Sequence, residues 1–99
     1  MLTVERLTVR PGKDDEYRAW MREAFLPFLS SEPGFLSSTA AREDGGGYLI
    51  VEKWTSREAR ERSLASEPAS RLKAEAMRFV ERRSEELKGS VVDVLRGRC

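Results

Sequence analysis

The run from Phe35 to Trp54 constrains the fold of this chain more than any other stretch, because two β-like segments flank Asp44-Gly45-Gly46-Gly47. An Asp-Gly pair between two such segments is a hairpin signal, and the extra glycines supply freedom at positive φ. A phosphate-binding loop instead needs its glycines between a strand and a helix N-terminus, usually followed by Lys and Ser or Thr. Here "YLIVEKW" (48–54) follows the triplet, so the glycines turn the chain and the flanking segments pair antiparallel. In that second segment Tyr48, Ile50, Glu52 and Trp54 share one face, while Leu49, Val51 and Lys53 share the other.

The remaining elements follow from period and punctuation. "LTVERLTVR" (2–10), closed by Pro11-Gly12, reads as a strand and a turn. Its apolar phase slips between Val4 and Leu7, which gives both faces apolar positions, one for helices and one for a second sheet or subunit. From Lys13 the period lengthens: Tyr17, Trp20, Met21, Ala24, Phe25, Phe28 and Leu29 predict a helix, with Asp14, Asp15 and Glu16 in its first turn. Pro27 is expected to kink that helix or end it early. "FLSSTAARE" (35–43) after Pro33-Gly34 is a weak strand, and Thr55 with Glu58 has capping-box spacing for a helix at "TSREARERSLA". Ser66 before Glu67-Pro68 starts a further helix, which the stripe Leu72, Ala76, Phe79, Val80 and Leu87 carries toward Gly89. "SVVDVLR" (90–96) is predicted as the last strand. Strand, helix, strand, strand, helix, strand is the ferredoxin-like βαββαβ order of an α+β fold, with a four-stranded antiparallel sheet and helices on one face. Leu49 and Val51 call for cover on the other face, from a second copy in a homodimer; a monomer with a solvated sheet is the alternative.

With 99 residues the chain is expected to form one domain over 1–99. A net charge of +1 without a basic cluster argues against nucleic acid as a partner. The N-terminus lacks an export pattern and no long apolar run occurs, so neither the membrane nor secretion is expected, and the chain reads as cytoplasmic. Its single cysteine, Cys99, cannot form an internal disulfide. No histidine is present, which removes the commonest general base and metal ligand; no metal site is expected, and imidazole-dependent nucleophilic mechanisms are excluded within one chain.

The path "VRPGKDDEYRAWM", "EPGFLSS", "YLIVEKWTSREA" and "ASEPASRLKAEA" resembles the antibiotic biosynthesis monooxygenase domain, a branch of the dimeric α+β barrel superfamily, over nearly the whole chain. Pro33-Gly34-Phe35 and the junction Trp54-Thr55-Ser56 with Glu58-Ala59 carry most of the likeness. The resemblance implies two ferredoxin-like units packed sheet to sheet, with a ligand cavity in each subunit between sheet and helices. Members include cofactor-independent oxygenases of anthrones and hydroquinones, and haem-degrading enzymes. The haem branch's histidine, tryptophan and asparagine would fall near Lys73, Ser63 and Glu5, so all three are absent. Of the anthrone branch's four residues, the tryptophan matches Trp54, whereas the asparagine is Ile50 and the tyrosine and arginine are Arg60 and Ala74.

An oxygenase without a cofactor draws its electrons from the substrate, so the protein must bind a flat ring, take a proton and keep the anion dry. If the strand faces follow the family's cavity, Glu52 and Tyr48 point inward beside Trp54, with Glu5 near Glu52. Two close carboxylates in an apolar setting hold one proton between them and give one member a raised pKa suited to a base. Glu52 and Glu5 are therefore the candidate catalytic pair; Trp54, Tyr48, Trp20, Tyr17 and Ile50 are the candidate substrate contacts. The alternatives are surface pairing of the glutamates with Arg6, Lys53 or Arg10, and a core role for the aromatic side chains. A small phenolic, quinol or polyketide-like aromatic is the expected substrate. A barrel binding a small apolar ligand without catalysis, or a cyclase or isomerase using the same cavity, are the other functions open to the chain.

Overall fold

A computed structural model of the chain describes residues 1–91, apart from the side chains of Glu85 and Glu86. Four antiparallel strands, β1 (Leu2–Val9), β2 (Phe35–Arg42), β3 (Tyr48–Trp54) and β4 (Val80–Gly89), form a sheet of order β2-β3-β1-β4. The helices α1 (Asp14–Trp20), α2 (Leu26–Ser30), α3 (Arg57–Leu64) and α4 (Glu67–Ala76) complete the α+β, ferredoxin-like order. The core lies on the helix side, where Leu7, Tyr48, Ile50 and Val80 of the strands meet Tyr17 of α1.

The hairpin forms where the glycines predict it. Gly46 and Gly47 sit at φ +91° and +85°, and the Glu43 and Gly47 backbones close the turn with a 3.0 Å bond. Gly47 has a second reason to lack a side chain: a Cβ there would lie 2.6 Å from the Leu7 carbonyl oxygen. Strain and clash act together, so Gly47→Ala is expected to lose about 2 kcal/mol or more of stability in urea melts. An unchanged midpoint would show that the hairpin can move aside.

Pro27 does not end the first helix. A π turn, Met21–Phe25, precedes it, and the Leu26 N–H reaches back five residues to the Met21 carbonyl. Widening the turn there makes room for the proline ring, and α2 then runs on to Ser30. The α3 cap is Ser56 rather than Thr55: its hydroxyl accepts from the Ala59 N–H at 3.1 Å. Ser66 caps α4 as predicted, accepting from the Ala69 N–H at 3.3 Å.

The C-terminal third corrects the sequence reading. The stripe through Phe79, Val80 and Leu87 is not helical; α4 stops at Ala76, a turn brings Arg10 N–H to the Phe79 carbonyl at 2.7 Å, and β4 begins at Val80. The physical reason is β1, whose second edge needs a hydrogen-bonding partner along its length, and residues 80–89 supply one. The predicted strand at 90–96 does not begin at Ser90 or Val91, and the rest of it lies outside the described residues.

Candidate functional site

Between the inner sheet face and the helices lies a cavity of about 60 Å³. Glu5 and Leu7 of β1, Ile50 and Glu52 of β3, and Val80 and Arg83 of β4 form its sheet side. Tyr17, Trp20, Met21 and Phe25 cover it from α1 and the π turn, while Arg60 of α3 and Lys73 of α4 close the remaining wall. The aromatic cover is stacked: Trp20 lies 5.3 Å from Phe25 at 10° and 6.1 Å from Tyr17 at 28°. The Trp20 indole N–H also donates to Glu75 of α4 at 3.0 Å, so one hydrogen bond ties the two helices across the cavity.

Strand register brings the two glutamates together. Glu5 stands opposite Ile50 and Thr3 opposite Glu52, which makes Glu5 and Glu52 diagonal neighbours on one face. Glu52 is buried, and Oε1 accepts from the Trp54 indole N–H at 3.0 Å. Burial pushes its carboxyl above the ordinary glutamate range; the indole bond opposes this, the negative charge of Glu5 adds to it, and Arg60 and Arg83 hold it back. Glu5 is 14% exposed and bound to the Arg83 guanidinium, whose Nε donates to Oε1 at 2.9 Å and whose Nη2 reaches the same oxygen. The glutamates thus do not make the surface pairs with Arg6, Lys53 or Arg10 that were the alternative. Tyr17 is held far above the usual phenol range, first by burial and then by the charge of Glu5, so it stays protonated beside the pair.

Of the residues singled out in the sequence, Glu5, Glu52, Tyr17, Trp20 and Ile50 line the cavity, whereas Tyr48 and Trp54 do not. Trp54 sits behind Glu52, almost fully buried, with Phe35 edge-on at 5.3 Å and 76°. The Tyr48 hydroxyl donates to Asp14 at 2.6 Å and accepts from Arg42 at 3.1 Å. Its ring borders a separate open groove of about 460 Å³ alongside Arg18, Arg22 and Arg42. Sequence reasoning missed Arg60, Lys73 and Arg83. Each lies in a stretch of alternating charge that looks solvated throughout, and only Arg60, four residues after the cap Ser56 and buried on the inner side of α3, had a phase that pointed inward.

The sequence profile of the family described as antibiotic biosynthesis monooxygenase matches residues 1–87. The chain belongs to the antibiotic biosynthesis monooxygenase family. Solved structures repeat the fold at low identity. A candidate antibiotic biosynthesis monooxygenase from Bacteroides thetaiotaomicron is 20% identical with TM-score 0.79, covering 99% of this chain and 95% of that one. SnoaB, a cofactor-independent oxygenase from Streptomyces nogalater, is 21% identical with TM-score 0.74, covering 92% and 94%. A family member from Caulobacter crescentus is 20% identical with TM-score 0.80, covering 92% and 89%. A search of curated proteins finds no match. Among the described residues of this family member, no helix is long and apolar enough to cross a membrane, and no three His, Cys, Asp or Glu side chains group as metal ligands do.

Proposed function

We propose that this chain is a cofactor-independent monooxygenase of the cytoplasm, acting on a small phenolic, quinol or polyketide-like aromatic that Glu52 deprotonates and that then reacts directly with O2. The observation carrying this reading is the buried Glu52 carboxyl at the wall of the cavity, facing its aromatic and aliphatic cover, with its ionisation pushed upward by burial. A carboxylate so placed is a stronger base than one in water and is poised nearer neutral pH. Tyr17, Trp20 and Ile50 offer the ring its contacts, and Trp54 acts through Glu52 by orienting it. For an anthrone-type methylene the balance is simple. The substrate carbon loses two hydrogens and gains one oxygen atom as a carbonyl, and the second oxygen leaves as water. Both electron pairs come from the substrate, and Glu52 returns its proton to the departing oxygen.

A second copy of the chain is proposed to cover the outer sheet face, where Leu2, Val4, Leu49 and Val51 are only half-buried and Leu87 is 64% exposed. Light scattering is then expected to give twice the 11.3 kDa chain mass, and a monomer at micromolar concentration would end the dimer proposal.

The size of the cavity favours a second reading, a non-catalytic barrel for a small apolar ligand. About 60 Å³ is well below the roughly 300–1,000 Å³ of pockets that enclose drug-sized ligands. For catalysis the Trp20–Phe25 cover must swing outward on binding, which breaks the hydrogen bond from Trp20 to Glu75 and the ring contacts of Trp20 with Tyr17 and Phe79. Oxygen uptake by the metal-stripped protein over a panel of anthrones and hydroquinones separates the two. Uptake in the wild type that Glu52→Gln abolishes supports the oxygenase; a folded protein without uptake across the panel supports the binding barrel.

A further inference from the structure

The two glutamates of the cavity are held differently, and this bears on which of them moves the proton; the inference rests on the oxygenase reading. Arg83 lies opposite Leu7 in the β1–β4 register, so its guanidinium extends over the inner face toward Glu5. Two of its nitrogens converge on one oxygen of Glu5. An arginine does not deprotonate in proteins, and two of its N–H groups converging on one carboxylate oxygen favour the ionised form of that carboxyl. Glu52 takes its described hydrogen bond from a neutral donor, the Trp54 indole.

We propose that Arg83 is a positioning residue that makes the carboxylate pair unequal: by holding Glu5 as a fixed anion, it leaves Glu52 as the group that gains and loses the proton. This replaces the symmetric picture of two carboxylates sharing one proton. The charged and titratable groups around Glu52 fit the unequal arrangement. Tyr17 from α1 remains a neutral phenol, Arg60 from α3 and Arg83 from β4 are permanent cations, Lys73 of α4 lines the same cavity, and Glu5 of β1 is the one fixed anion among these. The fixed anion raises the affinity of Glu52 for a proton, while the cations keep that rise moderate.

Carboxyl ¹³C NMR titration of the ligand-free chain tests this without turnover, so its outcome is separable from that of the oxygen assay. In the wild type Glu52 is expected to titrate above the ordinary glutamate range and apart from Glu5. Glu5→Gln is expected to move the Glu52 midpoint down, since the fixed anion is gone. Arg83→Met is expected to move the Glu5 midpoint up toward that of Glu52, and Arg83→Lys to restore part of the separation. A merely structural Arg83 would change unfolding midpoints and leave these titrations in place. Glu5 titrating at or above Glu52 in the wild type, a Glu52 midpoint unmoved in Glu5→Gln, or a Glu5 midpoint left in place by the Arg83 variants would overturn the proposal; Arg83→Lys, which keeps the charge and loses the two-nitrogen grip, carries the Arg83 test if Arg83→Met does not fold.

Discussion

Glu52→Gln is expected to lower oxygen uptake by ~10²–10⁴-fold, the usual contribution of a positioned general base, while making the folded chain more stable at neutral and alkaline pH. The two effects have one cause. The folded state holds the Glu52 carboxyl above its ordinary value, so between the ordinary and the raised value it binds one more proton than the unfolded chain. Stability therefore falls as pH rises through that window and levels off above the raised value, where the cost of keeping a buried anion is fully present. Glutamine removes the anion and with it the pH-dependent loss, so the variant's advantage in urea melts should be small at pH 4 and larger at pH 8. Unchanged turnover in Glu52→Gln would sink the base assignment, and an equal stability difference at both pH values would show that the carboxyl is not held above its ordinary range.

Trp54→Ala is expected to cost about 3–5 kcal/mol, a large share of the stability of a domain of this size. Trp54 is 1% exposed, its ring meets Phe35 edge-on, and its indole N–H satisfies the buried Glu52. Truncation removes all three contributions and leaves a cavity behind a carboxylate with one hydrogen bond fewer. Trp54→Phe separates packing from the hydrogen bond. It should keep most of the packing, lose about 1–2 kcal/mol, and raise the pH at which Glu52 ionises, because the indole bond holds that carboxyl down. If Trp54→Phe altered ring binding with no change in stability or in the Glu52 titration, the side chain would be a substrate contact and not a support for the base.

The parts of this fold that were legible in the sequence are those where backbone and side-chain signals agree. The glycine triplet and the alternation in 48–54 both state a hairpin, and Ser66 before Glu67-Pro68 states a helix start. Residues 80–89 were not legible, because Glu and Arg at every spacing satisfy a helix face as well as a strand edge, and only pairing with β1 decides. The same holds for the site. Strand parity was enough to put Glu5 and Glu52 on one face, since it depends on the backbone alone. Arg83 was beyond reach, because its role required knowing that its segment is a strand and which strand lies beside it. Tyr48 and Trp54 shared the correct face with Glu52 yet missed the cavity, since parity gives a direction and not a depth.

The π turn between Trp20 and Pro27 also sets a phase. Along an unbroken α-helix, Leu29 would be rotated about 120° away from Tyr17, and the two could not both face the sheet. A turn that takes up one extra residue removes about 100° of that offset and brings them nearly into line. Tyr17 is 3% exposed and Leu29 0%, at opposite ends of the same helical run. The widened turn thus works as a frame correction: it lets one length of chain keep two anchors seated, one at the cavity and one beyond the proline, and deleting a single residue between 21 and 25 is expected to turn it into ordinary α-helix with both anchors still in line, whereas inserting one would swing them about 100° apart.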